Sequence, residues 1–151
     1  GTSLAQIEQI NSGSDGAVTS DSLIKLYYAL KADYARGATF LMNRSVLQSV
    51  RLLKEATTNQ YLWQPGLAAG TPDTLMGIPV MQAADMPVAA TNSLSVAVGD
   101  FKRAYLVVDR VGLRILRDPF TEKPFIKFYT TRRVGGEVVN YEAVKLLKLA
   151  A

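Results

Sequence analysis

The sequence predicts an α+β fold, with helices packed on a mainly antiparallel sheet and a β-hairpin appended. Three observations carry that prediction. Helical periodicity is confined to the first third of the chain; from Leu75 onward the apolar segments are short and rich in Val, Ile, Leu, Tyr and Phe; and Gly, Pro, Asp or Asn separates those segments. Helices early and strands late leave none of the βαβ alternation that a doubly wound sheet requires. A length of 151 residues suits one ordinary domain, and 48% apolar with 20% charged content is the composition of a chain that folds.

The elements follow in order. Leu4, Ile7 and Ile10 give residues 1–19 a short helix-like start, Ser12 to Gly16 reads as a connection, and the stretch resembles the end of a larger upstream segment. Leu23, Leu26, Tyr27, Leu30 and Tyr34 then recur at three- and four-residue spacing, predicting a helix over about 21–36 that Thr19 or Ser20 starts and Gly37 ends. ATFLM, residues 38–42, has strand length. Asn43 is placed to cap a second helix with Val46, Leu47, Val50 and Leu53 as its buried stripe. The segment YLWQPGLAAGTPDTLMGIPV, residues 61–80, holds the chain's single tryptophan and a loop from about Gln64 to Asp73.

Beyond it, LMGIPVMQA, SVAVGDF, AYLVVDR, LRILRD and KFYTTRRV each read as a strand. Gly135-Gly136 has the spacing of a two-residue hairpin turn leading into EVVNYEAVKLLKL, and that hairpin favours a strand at the ambiguous C-terminus. Met76, Met81 and Met86 read as core-filling residues.

Chemistry is scarce. Without cysteine there is no disulfide, thiolate nucleophile or thiolate metal site; without histidine the commonest general base and transition-metal ligand are gone too. Gly66 to Gly70 lacks the preceding strand, following helix and lysine of a phosphate loop. Asp85, Asp100, Asp109 and Asp118 end or interrupt strands, where convergent carboxylates could bind a cation or act as an acid/base pair, but their spacing is that of ordinary turn residues. Catalytic, metal and cofactor-binding residues are therefore none. No run of eighteen apolar residues suggests a membrane span.

The net charge of +4 permits an anionic partner without requiring one. Asp109-Arg110 and Arg117-Asp118 are expected to neutralise locally. Arg132-Arg133, the one tight basic cluster, alternates across a strand onto opposite faces. Tyr27, Tyr28 and Tyr34 could stack on bases, yet the helix stripe already claims Tyr27 and Tyr34.

As an ordered string, "YLWQP", "TLMGIPV", "AADMP", "VGDFKRAYLVVDRVGLRILRDPF" and "TTRRVGGEVVNYEAVKLLK" closely resemble the C-terminal half of the major capsid proteins of tailed bacteriophages and prophages with the HK97-type fold. "DSLIKLYYALKADYARGATFLMNRSVLQSVRLLK" is similar to the preceding helix, strand and helix, so the resemblance covers about residues 15 to 149. It implies a structural virion subunit, assembled in the bacterial cytoplasm, that encloses DNA without sequence-specific contact and forms hexamers and pentamers. No enzyme activity, cofactor or membrane is implied.

The resemblance also implies an axial domain over residues 20–110 and peripheral-domain strands over 111–151, drawn from 111–134 and 137–149. Trp63 would anchor a loop whose Gln64, Pro65, Gly66 and Gly70 approach a symmetry axis. Lys102, Arg103, Asp109, Arg110, Arg114, Arg117, Arg132, Arg133 and Glu137 would supply salt bridges between subunits. The family's N-terminal arm, extended loop and most of its spine helix are expected upstream. The chain is thus read as a piece that is monomeric or a small oligomer on its own. The subunit crosslinking known in some members is not carried over, because the loop lysine is missing and no asparagine lies between Asn92 and Asn140. The alternatives are an encapsulin-type compartment shell, a small basic nucleic-acid-binding module, and a histidine-free hydrolase.

Overall fold

The computed structural model describes residues 6–54, 60–61 and 73–151. Trp63, Gln64, Pro65, Gly66 and Gly70 lie outside the described residues. The chain divides into two compact units, one of Gly1–Ala104 with Asn140–Ala151, the other of Tyr105–Val139.

The first unit is built on a six-stranded sheet. Its elements are β1 (Glu8–Asn11), α1 (Ser20–Tyr28), α2 (Ala32–Ala35), β2 (Thr39–Met42), α3 (Arg44–Arg51), β3 (Thr74–Leu75), β4 (Ile78–Gln82), β5 (Leu94–Gly99), α4 (Phe101–Ala104), a 3-10 turn (Tyr141–Ala143) and β8 (Val144–Lys148). Strand order is β1-β8-β5-β2-β4-β3. The β8–β5, β5–β2 and β4–β3 pairs are antiparallel, whereas β1–β8 and β2–β4 are parallel. Phe40 and Met42 of β2, Val96 and Val98 of β5, and Leu147 of β8 are fully buried beside Leu26 of α1 and Val46 and Val50 of α3. Alternate residues of each strand thus face one helix layer.

Local chemistry fixes the helix starts. Thr19 and Ser22 form a capping box at α1, and the Asn43 side chain accepts from the Ser45 amide at α3. The helix expected over 21–36 is broken: Lys31 is extended (φ −62°, ψ 143°) and restarts the chain as α2. The break carries Tyr34 to a second small cluster, Ala104, Ala143 and Val144, where its hydroxyl accepts from Asn140 Nδ2 at 2.9 Å. Gly37 caps no left-handed helix end. A Cβ there would stand 2.9 Å from Asp100 Oδ2, so close approach explains the glycine.

Three further expectations change. Residues 8–11 form a strand, not a helical tail, because parallel pairing with β8 sets Glu8 opposite Lys145 and Ile10 opposite Leu147. The segment expected in the hairpin's sheet, 144–148, lies instead between β1 and β5. Met76 and Met81 are exposed: Met76 occupies the β3–β4 turn at φ 52° followed by Gly77 at φ 78°, and Met81 faces outward from β4.

The second unit is a single antiparallel hairpin of β6 (Tyr105–Asp118) and β7 (Lys127–Val138). Gly135-Gly136 is no turn, because β7 runs straight through it, opposite Val108 and Val107. A Cβ at Gly136 would meet the Tyr105 hydroxyl at 2.6 Å; the glycine makes room for the ring lying across the strand. The reversal falls instead after Asp118, whose Oδ1 accepts from the Phe120 amide at 2.9 Å and the Thr121 amide at 3.2 Å.

Candidate subunit interface

The hairpin holds no buried residue. Of the twenty-one exposed large hydrophobic side chains among the described residues, fourteen belong to its 35-residue unit. Register assigns them to two faces. Regular alternation along β7 puts Phe128, Thr130, Arg132, Val134, Gly136 and Val138 on one side, with Arg117, Ile115, Asp109, Val107 and Tyr105 opposite them on β6. The other side carries Tyr129, Thr131, Arg133 and Glu137, opposite Leu116, Arg114, Val111 and Leu106. Neither face is a solvated polar face. A soluble two-stranded ribbon that keeps apolar side chains on both sides has surface meant for burial elsewhere.

Charge adds a second feature. Unit 105–139 has seven basic and four acidic side chains, which gives it a net +3 of the chain's +4. Arg132 donates through Nε (3.1 Å) and Nη2 to Asp109 Oδ2 across the strands. The expected neighbour pairing of Asp109 with Arg110 does not occur, since adjacent strand residues point apart. Arg117 and Asp118 likewise do not pair: Asp118 is engaged by the turn. Among the described residues, Arg110, Arg114, Arg117, Arg133 and Glu137 make no salt bridge. Arg110, Arg114, Arg132 and Arg133 border a shallow cavity of about 420 Å³ with Val111 and Thr131. Two register shifts, between Asp109 and Val111 and between Val111 and Arg114, twist β6 at this place.

Lys102 and Arg103 sit apart from this cluster on α4 of the first unit; Lys102 is exposed and Arg103 contacts Asp100 at 3.4 Å. The structure thus brings Asp109, Arg110, Arg114, Arg132 and Arg133 together, strings Arg117 and Glu137 toward opposite ends of the hairpin, and places Lys102 and Arg103 in the other unit. Asp85 and Asp100 likewise belong to one unit and Asp109 and Asp118 to the other. Among the described residues no group of three acidic side chains is placed to hold a metal.

Reading charges alone missed the apolar interface residues Leu113, Ile115, Leu116, Phe120, Phe125 and Phe128, each at least 60% exposed. Their signal was visible in LRILRD and KFYTT: two consecutive strands with large apolar side chains at both parities and no later helix to cover them.

A model of the phage capsid family matches residues 3–149. The chain is similar to the capsid of an empty GTA particle computed with C5 symmetry, at 44% identity and a TM-score of 0.80 over 95% of this chain and 50% of that one. The native GTA particle's capsid matches equally, covering 49% of its chain. The SrpI encapsulin of Synechococcus elongatus PCC 7942 (15% identity, TM-score 0.62, 95% and 53% covered) and a chain of Gordonia phage Cozz (15%, 0.55, 99% and 51%) share the fold alone. None of the curated proteins matches. The chain spans about half the length of the GTA capsid chains it matches. A match running nearly end to end, on an α+β fold shared with HK97-like shells, makes this chain a member of the phage capsid family.

Proposed function

We propose that this chain is part of the structural subunit of an icosahedral phage or prophage head, which self-assembles into a shell around DNA without reading its sequence. The observation that carries this reading is the hairpin, whose two apolar faces find cover only in an assembly of many copies. The six-stranded unit takes the axial role and the hairpin the peripheral one. That favours a boundary after Ala104 over one after Arg110, and it returns 140–151 to the axial sheet. Residues 62–72, with Trp63, Gln64, Pro65, Gly66 and Gly70, are proposed to approach the symmetry axis.

Within the shell the unpaired Arg110, Arg114, Arg117 and Arg133 set register between neighbours, together with Lys102, Arg103 and Glu137. Asp109 and Arg132 already hold each other. The subunit carries no catalytic chemistry and needs no cofactor. Its assembly takes place in the host cytoplasm.

Negative-stain electron microscopy of the protein expressed from its complete reading frame tests the reading. Uniform hollow particles are expected, and Arg114→Glu should lower their yield while leaving the subunit folded. A protein that stays monomeric at every salt and pH tried would sink the shell reading.

A further inference from the structure

The two edges of the hairpin are not equivalent. Edges of the six-stranded sheet are short, four residues in β1 and two in β3, as protected edges usually are. Those of the hairpin run for fourteen residues in β6 and twelve in β7. Successive residues of an antiparallel strand point their N–H and C=O groups alternately toward the partner and away from it, so each edge presents a row of outward groups.

On β6 that row is interrupted by two bulges at residues 109–114, the device that blocks pairing with a further strand. β7 has no bulge and no proline, its register against β6 advances residue by residue past each of those interruptions, and Gly135 and Gly136 keep φ out of the left-handed region. Nothing on β7 stops a third strand.

We infer that the outer edge of β7, centred on Phe128–Val134, is completed in the assembled protein by an extended segment of a second copy of this chain. The inference rests on the shell reading above. Charge chooses the occupant: β7 presents Lys127, Arg132 and Arg133, while the six-stranded unit exposes Asp15, Asp21, Asp33 and Asp85, none in a salt bridge among the described residues. A second copy thus brings the acidic surface that the hairpin lacks. Backbone pairing would supply affinity, and the alternating apolar side chains of both hairpin faces would be covered by the same approach.

The test is hydrogen exchange at single-residue resolution, comparing assembled particles with dissociated subunits of the protein from its complete reading frame. Outward amides of β7 should slow by at least ~10-fold on assembly, while those of β6 do not. Particles whose β7 amides exchange as fast as in the free subunit would overturn the edge inference and leave the shell reading standing. Slowing confined to β6, or equal on both edges, would overturn it as well. Amides of β7 already slow in the dissociated subunit would assign the edge to a segment of the same copy. Absence of particles would remove both readings together.

Adjacent prolines give an independent check, because of Thr130→Pro and Thr131→Pro one removes a donor to β6 and the other only an outward donor. The variant that preserves the hairpin amides should cut particle yield ~10-fold or more. Unchanged yield from that variant contradicts the inference.

Discussion

The six-stranded unit and the hairpin treat apolar surface in opposite ways. In the first, β5 is buried over Ser95–Gly99, and Phe40, Met42, Val96, Val98 and Leu147 are sealed between the sheet and the helices. In the second, Leu116 is 65% exposed and Phe128 62%, and no residue is buried. Both segments come from one chain of ordinary composition, so composition does not distinguish them. What does is the parity of the apolar residues: in β2 the buried positions alternate with partly exposed ones, whereas the hairpin puts large apolar groups on both sides of a ribbon that nothing in its own unit covers. One unit is finished by folding, the other by association.

The comparison breaks most easily in the core. Phe40→Ala removes a fully buried ring from the middle of the sheet and should cost about 4 kcal/mol of unfolding free energy, read by urea denaturation. Gly99→Ala comes next. Its Cβ would lie 2.2 Å from the Ala143 carbonyl oxygen, at the point where β5 pairs with Val144, and backbone cannot move aside as a flexible side chain can. We expect a loss of about 3 kcal/mol by the same measurement. A wild-type midpoint in this variant would mean that β5 and β8 are not packed as described.

Smaller effects sharpen the contrast. Asn43 accepts from the Ser45 amide and donates through Nδ2 to the Ala84 and Met86 carbonyls, at 3.1 and 3.0 Å, so one side chain ties the start of α3 to the segment after β4. Asn43→Ala should cost about 1 kcal/mol. Leu116→Ala on the hairpin removes a side chain as large as Leu26 or Leu147, yet it should change the unfolding free energy by no more than about 0.5 kcal/mol, because little of it is buried in the free chain. Its effect belongs in particle yield. A Leu116→Ala cost equal to that of a core leucine would erase the distinction between the units.

Much of this arrangement could be read from residue order. The α+β class, the cap at Asn43, the strand at 39–42 and the Val46, Leu47 and Val50 stripe follow from short-range patterns that the folded chain keeps. Long-range pairing was less legible. Residues 8–11 acquire strand structure from β8, which is 137 positions away in register, and no local pattern encodes that partner. Gly135-Gly136 has the form of a turn, but the Tyr105 ring across the strand requires a residue without a side chain there. The arginines of the interface were found from charge. The apolar half was missed because Leu, Ile and Phe in a strand ordinarily mean core, and only the absence of a covering layer says otherwise.

Asp118 offers the finest distinction between the units. Its carboxyl is held below the ordinary aspartate value, first by the hydrogen bond from the Thr121 hydroxyl and then by the Phe120 amide, all within one turn of the hairpin. In the other unit Glu142 is likewise lowered by its hydrogen bond and charge pairing with Lys31, which is raised in return. That pair joins α2's leading residue to the turn before β8. A lowered carboxyl contributes its stabilisation fully above the unfolded value and loses it as pH falls through the folded one; the raised lysine contributes below its unfolded value and loses it as pH rises through the raised one. Acid should therefore release both carboxylates, whereas alkali should release only the Lys31 contact. Followed by amide chemical shifts, the Phe120 and Thr121 signals should move with one acidic titration that Asp118→Asn abolishes, and they should stay constant through the alkaline limb that shifts Glu142. Because both sites are exposed, the global midpoint should hardly respond to either change. An alkaline transition at Phe120 would show that the turn is coupled to a base outside it, and the hairpin could then no longer be treated as a unit whose reversal depends on its own residues.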